Sequence, residues 1–491
     1  MPRLANRLLA SLHPEVAVPT YDRASLTTGV VHFGVGGFHR AHEAMYLDRL
    51  LDQGGNLSWA VCGVGTLPAD RAMQQALVPQ DCLYTLVLKG TDGSVRPQVV
   101  GSIGRYLHAP ADPEAVVTRL TDPTTRMVSL TITEGGYHVS DATGVFEVSA
   151  DVAADLEPGA VPRTVFGLVT EALDRRRRAG AAGFTVVSCD NMPGNGGVAR
   201  QSFLAFAELR NPELARWIDQ NVTFPSSMVD RITPVTSDQD RRDLSDRFDI
   251  QDAWPVVAEP FVQWVLEDRF VDSRPLLENV GVQLVDDVQP YELMKLRLLN
   301  GSHQVLGYLG HLAGYRFVHE VCQDPAYARL LMRYMTDEAT PTLPQLPGID
   351  LEAYRRTLLS RFANPNIRDT LTRNCTDGSD RIPKFVLPVI RDQLRAGGDI
   401  SVAVTAVAAW ARYLEGVDER GHSYAVQDRR WQQLSPLAAR QRSQPDALLS
   451  RSELFGDLAA HPRFAVAYLE ALRALHEDGA RSVVRTLTTA G

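Results

Sequence analysis

Short β-branched runs alternate with helical stretches from about residue 28 to residue 285, and there the alternation stops. Residues 29–35 (GVVHFGV), 59–64 (WAVCGV), 127–133 (MVSLTIT) and 184–189 (FTVVSC) read as strands, while 43–51 (EAMYLDRLL) and 164–178 (TVFGLVTEALDRRRR) read as helices. Strands that alternate with helices imply crossover connections and hence a mainly parallel, doubly wound sheet. From residue 286 onward the pattern is amphipathic helix, as in 327–335 (YARLLMRYM) and 402–416 (VAVTAVAAWARYLEG). The chain is therefore expected to hold an α/β domain over residues 1–285 and a mostly α-helical domain over 286–491. At 491 residues it is long enough for both to have ample cores.

The first apolar run leads into Gly34-Val35-Gly36-Gly37-Phe38-His39, with a helix opening near Ala41. Glycines there let the backbone turn tightly and approach a pyrophosphate, which the free N–H groups of the following helix can hold. A Rossmann-like, dinucleotide-binding domain is one reading; an ordinary tight βα turn is the other. His39 stands where the third glycine of GxGxxG belongs, and no acid ends the second strand at Val64, the nearest being Asp70. Two later strand ends, Thr133-Glu134-Gly135-Gly136 and Cys189-Asp190-Asn191, lie where open α/β sheets place their ligands. Each alone is compatible with a capped turn. Together they outline a crevice, and the cofactor candidates are Gly34, Val35, Gly36, Gly37, Phe38, Asp70 and Glu134.

The net charge of −9 argues against nucleic acid or an anionic membrane surface as a partner, since both require concentrated positive charge. A small molecule is the better expectation. The five cysteines (Cys62, Cys82, Cys189, Cys322, Cys375) are scattered without a CxxC pair and read as reduced thiols. No apolar run approaches the roughly 18 residues of a membrane span, and the opening MPRLANRLLASLHPEV lacks a sustained signal-peptide core. A cytoplasmic protein is expected.

Within the helical part, residues 287–310 (DVQPYELMKLRLLNGSHQVLGYLG) place a base and polar donors in a leucine-rich run. Pro290 suits a first helical position, and Asp286 and Asp287 precede it, so a helix is predicted from there through Leu309. At about 100° per residue, Glu292 and His303 fall roughly 60° and 80° from Lys295, and Asn300 about 140° away. A lone lysine is ordinarily a solvated charge and a lone histidine a satisfied structural one. Several polar groups interrupting one apolar run are costly without partners or a role, which favours function. His39 and His42, three residues apart, lack a nearby cysteine pair and lie in the glycine turn, so a structural reading outweighs zinc and no metal is expected.

These motifs resemble the mannitol dehydrogenase family of long-chain polyol dehydrogenases. The resemblance rests on VHFGVGGFHRAH at Val31, SLTITEGGY at Ser129, SCDN at Ser188, TFPSSMVDRITP at Thr223, KLRLLNGSH at Lys295 and KFVLP at Lys384, in the family's order and approximate spacing. It implies an NAD-dependent, metal-independent secondary-alcohol dehydrogenase of polyol metabolism, interconverting D-mannitol and D-fructose, acting as a monomer, with its active site in the cleft between the two domains. Related activities in the family are D-arabinitol oxidation and fructuronate reduction. Lys295 would be the general acid/base, Asn191 and Asn300 would hold the reacting oxygen, and His303 would orient the substrate. Asp230, Arg373 and Arg381 would bind sugar hydroxyls, and Glu292 would relay protons. Two positions depart from the family pattern: Arg381 where lysine is familiar, and Ala69 where a second acid accompanies Asp70.

The chemistry is consistent with those roles. Removing a hydroxyl proton while hydride leaves the same carbon needs a base and oxyanion donors, and two neutral amides donate without competing for the proton. Arg373, Arg381 and Lys384 allow two readings, a carboxylate clamp or a set of donors to a neutral polyol with Asp230 accepting. A non-catalytic nucleotide sensor would keep the glycine turn but would not need Lys295 together with the asparagines.

Overall fold

The computed structural model describes residues 3–140, 144–346 and 348–489. It divides into two compact units, Met1–Gln289 and Pro290–Gly491. The strands of the first are β1 (Thr28–Phe33), β2 (Ala60–Gly65), β3 (Tyr84–Lys89), β4 (Val95–Val100), β5 (Ile103–His108), β6 (Met127–Leu130), β7 (Thr185–Ser188), β8 (Ser227–Asp230), β9 (Val256–Ala258), β10 (Gln263–Glu267) and β11 (Gln283–Val285). Five of them form an all-parallel sheet in the order β5-β2-β1-β6-β7. The order reverses at β1, so the C-terminal end of β1 is the switch point at which such sheets open a crevice.

Period-two burial explains why these runs are strands. Val31, Phe33, Val64, Val128 and Leu130 join one core with Leu120, Phe166 and Phe203, whereas Val30, Val61, Met127 and Val187 join another with Met45, Leu47 and Trp264. Successive side chains thus enter opposite layers, and both faces of the sheet are covered. Two smaller mixed sheets, β4-β3-β9 and β11-β10-β8, complete the unit. The strand expected to continue to Thr133 ends at Leu130. The Asp190 carboxylate takes the N–H groups of Ile132 and Thr133 (3.1 and 2.8 Å), which diverts the chain out of the ladder.

The second unit is helical. Asp287 caps the amide of Gln289 at 2.9 Å, and the predicted helix begins there, as Gln289–Met294. It does not stay α-helical: Lys295–Asn300 is a π-helix, followed by the α-helix Gly301–Leu312. The helix Ser401–Tyr413, buried almost all round, packs against Gly301–Leu312 and Pro462–Glu477. Its first amides, Val402 and Ala403, donate to the buried Glu338 carboxylate at 2.6 and 2.8 Å. Among the described residues no helix is long and apolar enough to cross a membrane.

Candidate active site

Each cofactor candidate of the first unit sits just past the C-terminal end of a strand. Gly34 follows β1 with φ +92°, and a Cβ there would lie 2.0 Å from the Thr131 carbonyl oxygen, so only glycine fits. Its amide donates to Val64 of β2 (3.1 Å), and its carbonyl accepts from the Thr131 hydroxyl (2.6 Å). Above Gly36 the space is open: a Cβ would meet only the Gly34 oxygen, at 3.9 Å. Val35 is buried against Gly63, so what it presents is backbone. Gly37 and Phe38 open the next helix, Gly37–Ala41. A turn held down by Gly34 and open over Gly36 fits the pyrophosphate of a dinucleotide.

Asp70 lies six residues beyond Val64 in sequence, yet the 3₁₀ turn Pro68–Asp70 folds it back beside Gly65 at the end of β2. There one carboxylate oxygen accepts from the Thr66 and Leu67 amides, both at 2.8 Å. The acid is thus at the strand end expected of a ribose-binding residue, with one oxygen engaged in holding its own turn. Glu134 is exposed on the 3₁₀ turn Glu134–Tyr137 after β6. The residue before it, Thr133, has φ +63°, a strained value for a β-branched side chain.

That strain is held by the strand-end acid Asp190, with Asn195 behind it. Asp190, buried at the end of β7, accepts from the Ile132 and Thr133 amides and from the Tyr137 hydroxyl (2.7 Å). Burial raises its carboxyl above the usual range, against which these hydrogen bonds act. Asn195, fully buried, donates to the carbonyls of Asp190 (3.0 Å) and Ser227 (2.8 Å) and accepts from the Ser227 amide (2.9 Å). Asn191, an exposed residue, therefore follows a backbone tied to both β6 and β8, and the buried Asp230 ends β8. The Asp190 side of the SCDN segment was visible as a strand-end acid; Asn195 carried no local signal.

In the second unit Glu292, Lys295, Asn300 and His303 are all buried, at 8–9 % exposure, on the one continuous helix. A uniform α-helix would put Asn300 far round from Lys295. A π turn closes over five residues instead of four, so it turns less per residue and brings position i+5 back toward position i. The α wheel of the sequence reading therefore overstates the separation of Lys295 and Asn300. The amide oxygen of Asn300 has no hydrogen-bond partner among the described residues. Such a buried polar atom is costly unless something polar fills the space.

Arg373, on the short helix Leu371–Cys375, and Arg381 and Lys384, on Gly378–Phe385, belong to helices that pack against this one. Arg381 donates to the carbonyls of Arg373 and Asn374, each at 3.1 Å, which brings the two arginines together; Lys384 is exposed on the same helix. Arg373 uses Nε and one terminal nitrogen on the two oxygens of buried Asp369, both at 2.7 Å. Burial pushes the Asp369 carboxyl up, but the Arg373 hydrogen bonds and charge outweigh it and hold the carboxyl below its ordinary value. The ring of His303 lies 4.6 Å from that of Phe362.

Among the described residues, one group of side chains has ligand atoms close enough for a metal: His32, His39 and Glu43 of the first unit, all buried. The two imidazoles are stacked at 3.4 Å between centroids with 15° between planes. A ring nitrogen binds an ion in the plane of its ring, and two nearly parallel planes that far apart do not share one. Hydrogen bonding describes the group better, with the Glu43 carboxylate 3.0 Å from His32 Nδ1 and 3.2 Å from His39 Nδ1.

Comparison with known proteins agrees with this geometry. Residues 28–279 match the family model described as the mannitol dehydrogenase Rossmann domain, and residues 287–476 match the mannitol dehydrogenase C-terminal domain. The chain is 45 % identical over 487 residues to a mannitol 2-dehydrogenase of Phaeosphaeria nodorum, covering 98 % of this chain and 85 % of the relative. Among solved structures it resembles Pseudomonas fluorescens mannitol 2-dehydrogenase in ternary complex with NAD and D-mannitol, with a TM-score of 0.91, 46 % identity and complete coverage of both chains. It also resembles a D-sorbitol dehydrogenase in substrate-free form, with a TM-score of 0.87, 38 % identity, and coverage of 98 % of this chain and 100 % of that one. A parallel-sheet unit with a glycine turn at its switch point, a helical unit carrying a buried lysine, and likeness over the whole length together place this chain in the mannitol dehydrogenase family.

Proposed function

We propose that the chain is an NAD-dependent mannitol 2-dehydrogenase that interconverts D-mannitol and D-fructose. The observation that carries this reading is the π turn Lys295–Asn300, which sets a buried base and a buried amide on neighbouring sides of one helix in a chain so similar to an enzyme solved with NAD and D-mannitol. Bound at the Gly34–Gly37 turn, NAD supplies the acceptor for hydride. Lys295 takes the proton from the reacting hydroxyl, or returns it in the reductive direction. A lysine serving as a base near neutral pH requires surroundings that disfavour the ammonium ion, while in the reductive direction its proton is immediately useful. Asn300 and Asn191 donate to the reacting oxygen, and neutral amides do so without taking the proton themselves. His303 orients the substrate and Glu292 passes the proton to solvent. Asp70 accepts from the cofactor ribose, with Glu134 beside the same crevice.

The state of Arg373 supports a neutral sugar over a uronate. A carboxylate clamp needs a guanidinium fork to spare, and here Asp369 already occupies it bidentately. Arg373, Arg381 and Lys384 then serve as donors to hydroxyls, with Asp230 accepting. Five buried thiols, none of them paired, suit a reducing compartment, and action as a cytoplasmic monomer belongs to the same proposal. The test follows NADH absorbance with purified protein and D-fructose, D-mannitol, D-arabinitol or fructuronate. Turnover with D-fructose and D-mannitol at higher kcat/KM than with fructuronate is expected. A preference for fructuronate that Arg373→Ala abolishes would overturn the substrate assignment, and tight nucleotide binding without turnover on any of them would make the protein a sensor.

A further inference from the structure

His39 occupies the place at which a dinucleotide turn ordinarily has its third glycine, the residue that lets the helix pack closely on the first strand. Here that close approach is made by rings: His39 stacks on His32 of β1 at 3.4 Å. Both rings and the Glu43 side chain are no more than 1 % exposed. His32 reaches back to the turn itself, its Nε2 being 2.9 Å from Thr131 Oγ1 and 3.2 Å from the Gly34 carbonyl oxygen. The single hydroxyl hydrogen of Thr131 goes to Gly34, so His32 Nε2 must donate toward that pair. Its other nitrogen lies 2.8 Å from Ser129 Oγ and 3.0 Å from Glu43 Oε2. Glu43 thus touches both rings from the helix Glu43–Asp52, while its second oxygen and His39 Nε2 have no hydrogen-bond partner among the described residues.

We propose that Glu43 is a positioning residue for the dinucleotide turn, holding the stacked His32 and His39 rings so that His32 and Thr131 together fasten the Gly34 carbonyl. The inference rests on the NAD-binding reading and goes beyond it, because none of these side chains is assigned to touch the cofactor. A purely structural filling of this space would use apolar groups. An acid with an unsatisfied oxygen and two imidazoles is an expensive choice in a buried layer, and it sits under the one turn that must keep its shape when the cofactor arrives. Burial pushes the Glu43 carboxyl up, but hydrogen bonds from His32 and His39 more than offset this and keep it ionised; burial and the neighbouring His32 ring push His39 down to about 3, so it stays neutral. The arrangement is therefore one carboxylate clamping a ring stack.

The experiment compares wild type with Glu43→Gln, Glu43→Asp and Thr131→Val by NAD titration, thermal unfolding and steady-state kinetics. Glu43→Gln is expected to weaken NAD binding about tenfold or more, with kcat at saturating NAD and KM for D-mannitol within about threefold of wild type. Glu43→Asp should recover part of the loss. Thr131→Val removes the last link of the chain at a half-buried position and should weaken NAD binding in the same sense even if Glu43→Gln fails to fold. Folded variants, Thr131→Val among them, that bind NAD as wild type does would overturn the proposal while leaving the dehydrogenase reading intact. Wild-type protein that binds no NAD would overturn the dehydrogenase reading, and the proposal with it.

Discussion

The two units prepare their chemistry by different means. In the first, the candidate residues stand on loops at strand ends, and buried groups that accept or donate to backbone hold those loops: Asp190 binds the amides after β6, and Asn195 joins β7 to β8. In the second, the catalytic candidates stand on one helix, and it is the winding of that helix that decides which of them are neighbours. Loops offer freedom of backbone shape and need staples, whereas a helix offers rigidity and needs a defect to bring i and i+5 together. The difference teaches where damage will show. Loss of a staple should misplace a whole loop, while loss of a helical side chain should remove one chemical function and leave its neighbours in place.

The sharpest test of that contrast is Lys295→Ala. Turnover should fall by about 10²- to 10⁴-fold with NAD affinity kept, and added primary amines should restore part of the rate. A folded variant at near-normal rate would end the assignment. Next come the two amides, one from each unit. Asn191→Ala and Asn300→Ala should each lose on the order of 10²-fold in kcat with little change in NADH affinity, and a change confined to substrate affinity would make them binding residues instead.

The smallest effect on turnover is expected from a buried acid that staples no candidate loop. Glu338 and Asp190 both accept backbone N–H groups, but Glu338 caps the helix Ser401–Tyr413. Asp190→Asn should lower activity through the Thr133 and Asn191 loops, while Glu338→Gln should leave kcat within about threefold and act on stability. Burial raises Glu338 from 4.5 to about 7. A raised carboxyl stabilises the fold fully below its unfolded value and loses that contribution as pH climbs through the folded one. Wild type should therefore lose on the order of 3 kcal/mol of stability from this group between about pH 4.5 and 7, and Glu338→Gln should flatten that slope in denaturant titrations. An unchanged slope would show that the acid does not titrate there.

Much of this architecture is legible in the chain. Runs such as GVVHFGV declare a strand and a glycine turn together, and Asp287 with Pro290 declares a helix start, because both signals are local. What escaped was set by distant partners. Nothing in MVSLTIT says that Asp190, nearly 60 residues later, will take two of its amides and end the strand at Leu130. Asp70 looked too far from β2 because a 3₁₀ turn that folds back is invisible to counting. The His32–His39 stack was hidden for a related reason, since a glycine replaced by histidine reads as a failed motif until the ring beneath it is seen. The π turn is tertiary too: Gly301, at its end, abuts the Tyr334 hydroxyl, which donates to the Arg297 carbonyl at 3.1 Å.

Counted along the chain, a π turn is an α-helix with one residue too many. The helix from Gln289 to Leu312 thus keeps its arrangement through length as much as through composition. Winding the same residues as a regular α-helix would leave every polar group present but carry Asn300 to about 140° from Lys295, whereas deleting a single leucine between them would restore regular winding with Asn300, now four positions on, still on the same side of the axis. Substitutions of the same leucines by other apolar residues would be mild by comparison. In this segment the winding, more than the identity of the intervening side chains, decides which polar groups are neighbours.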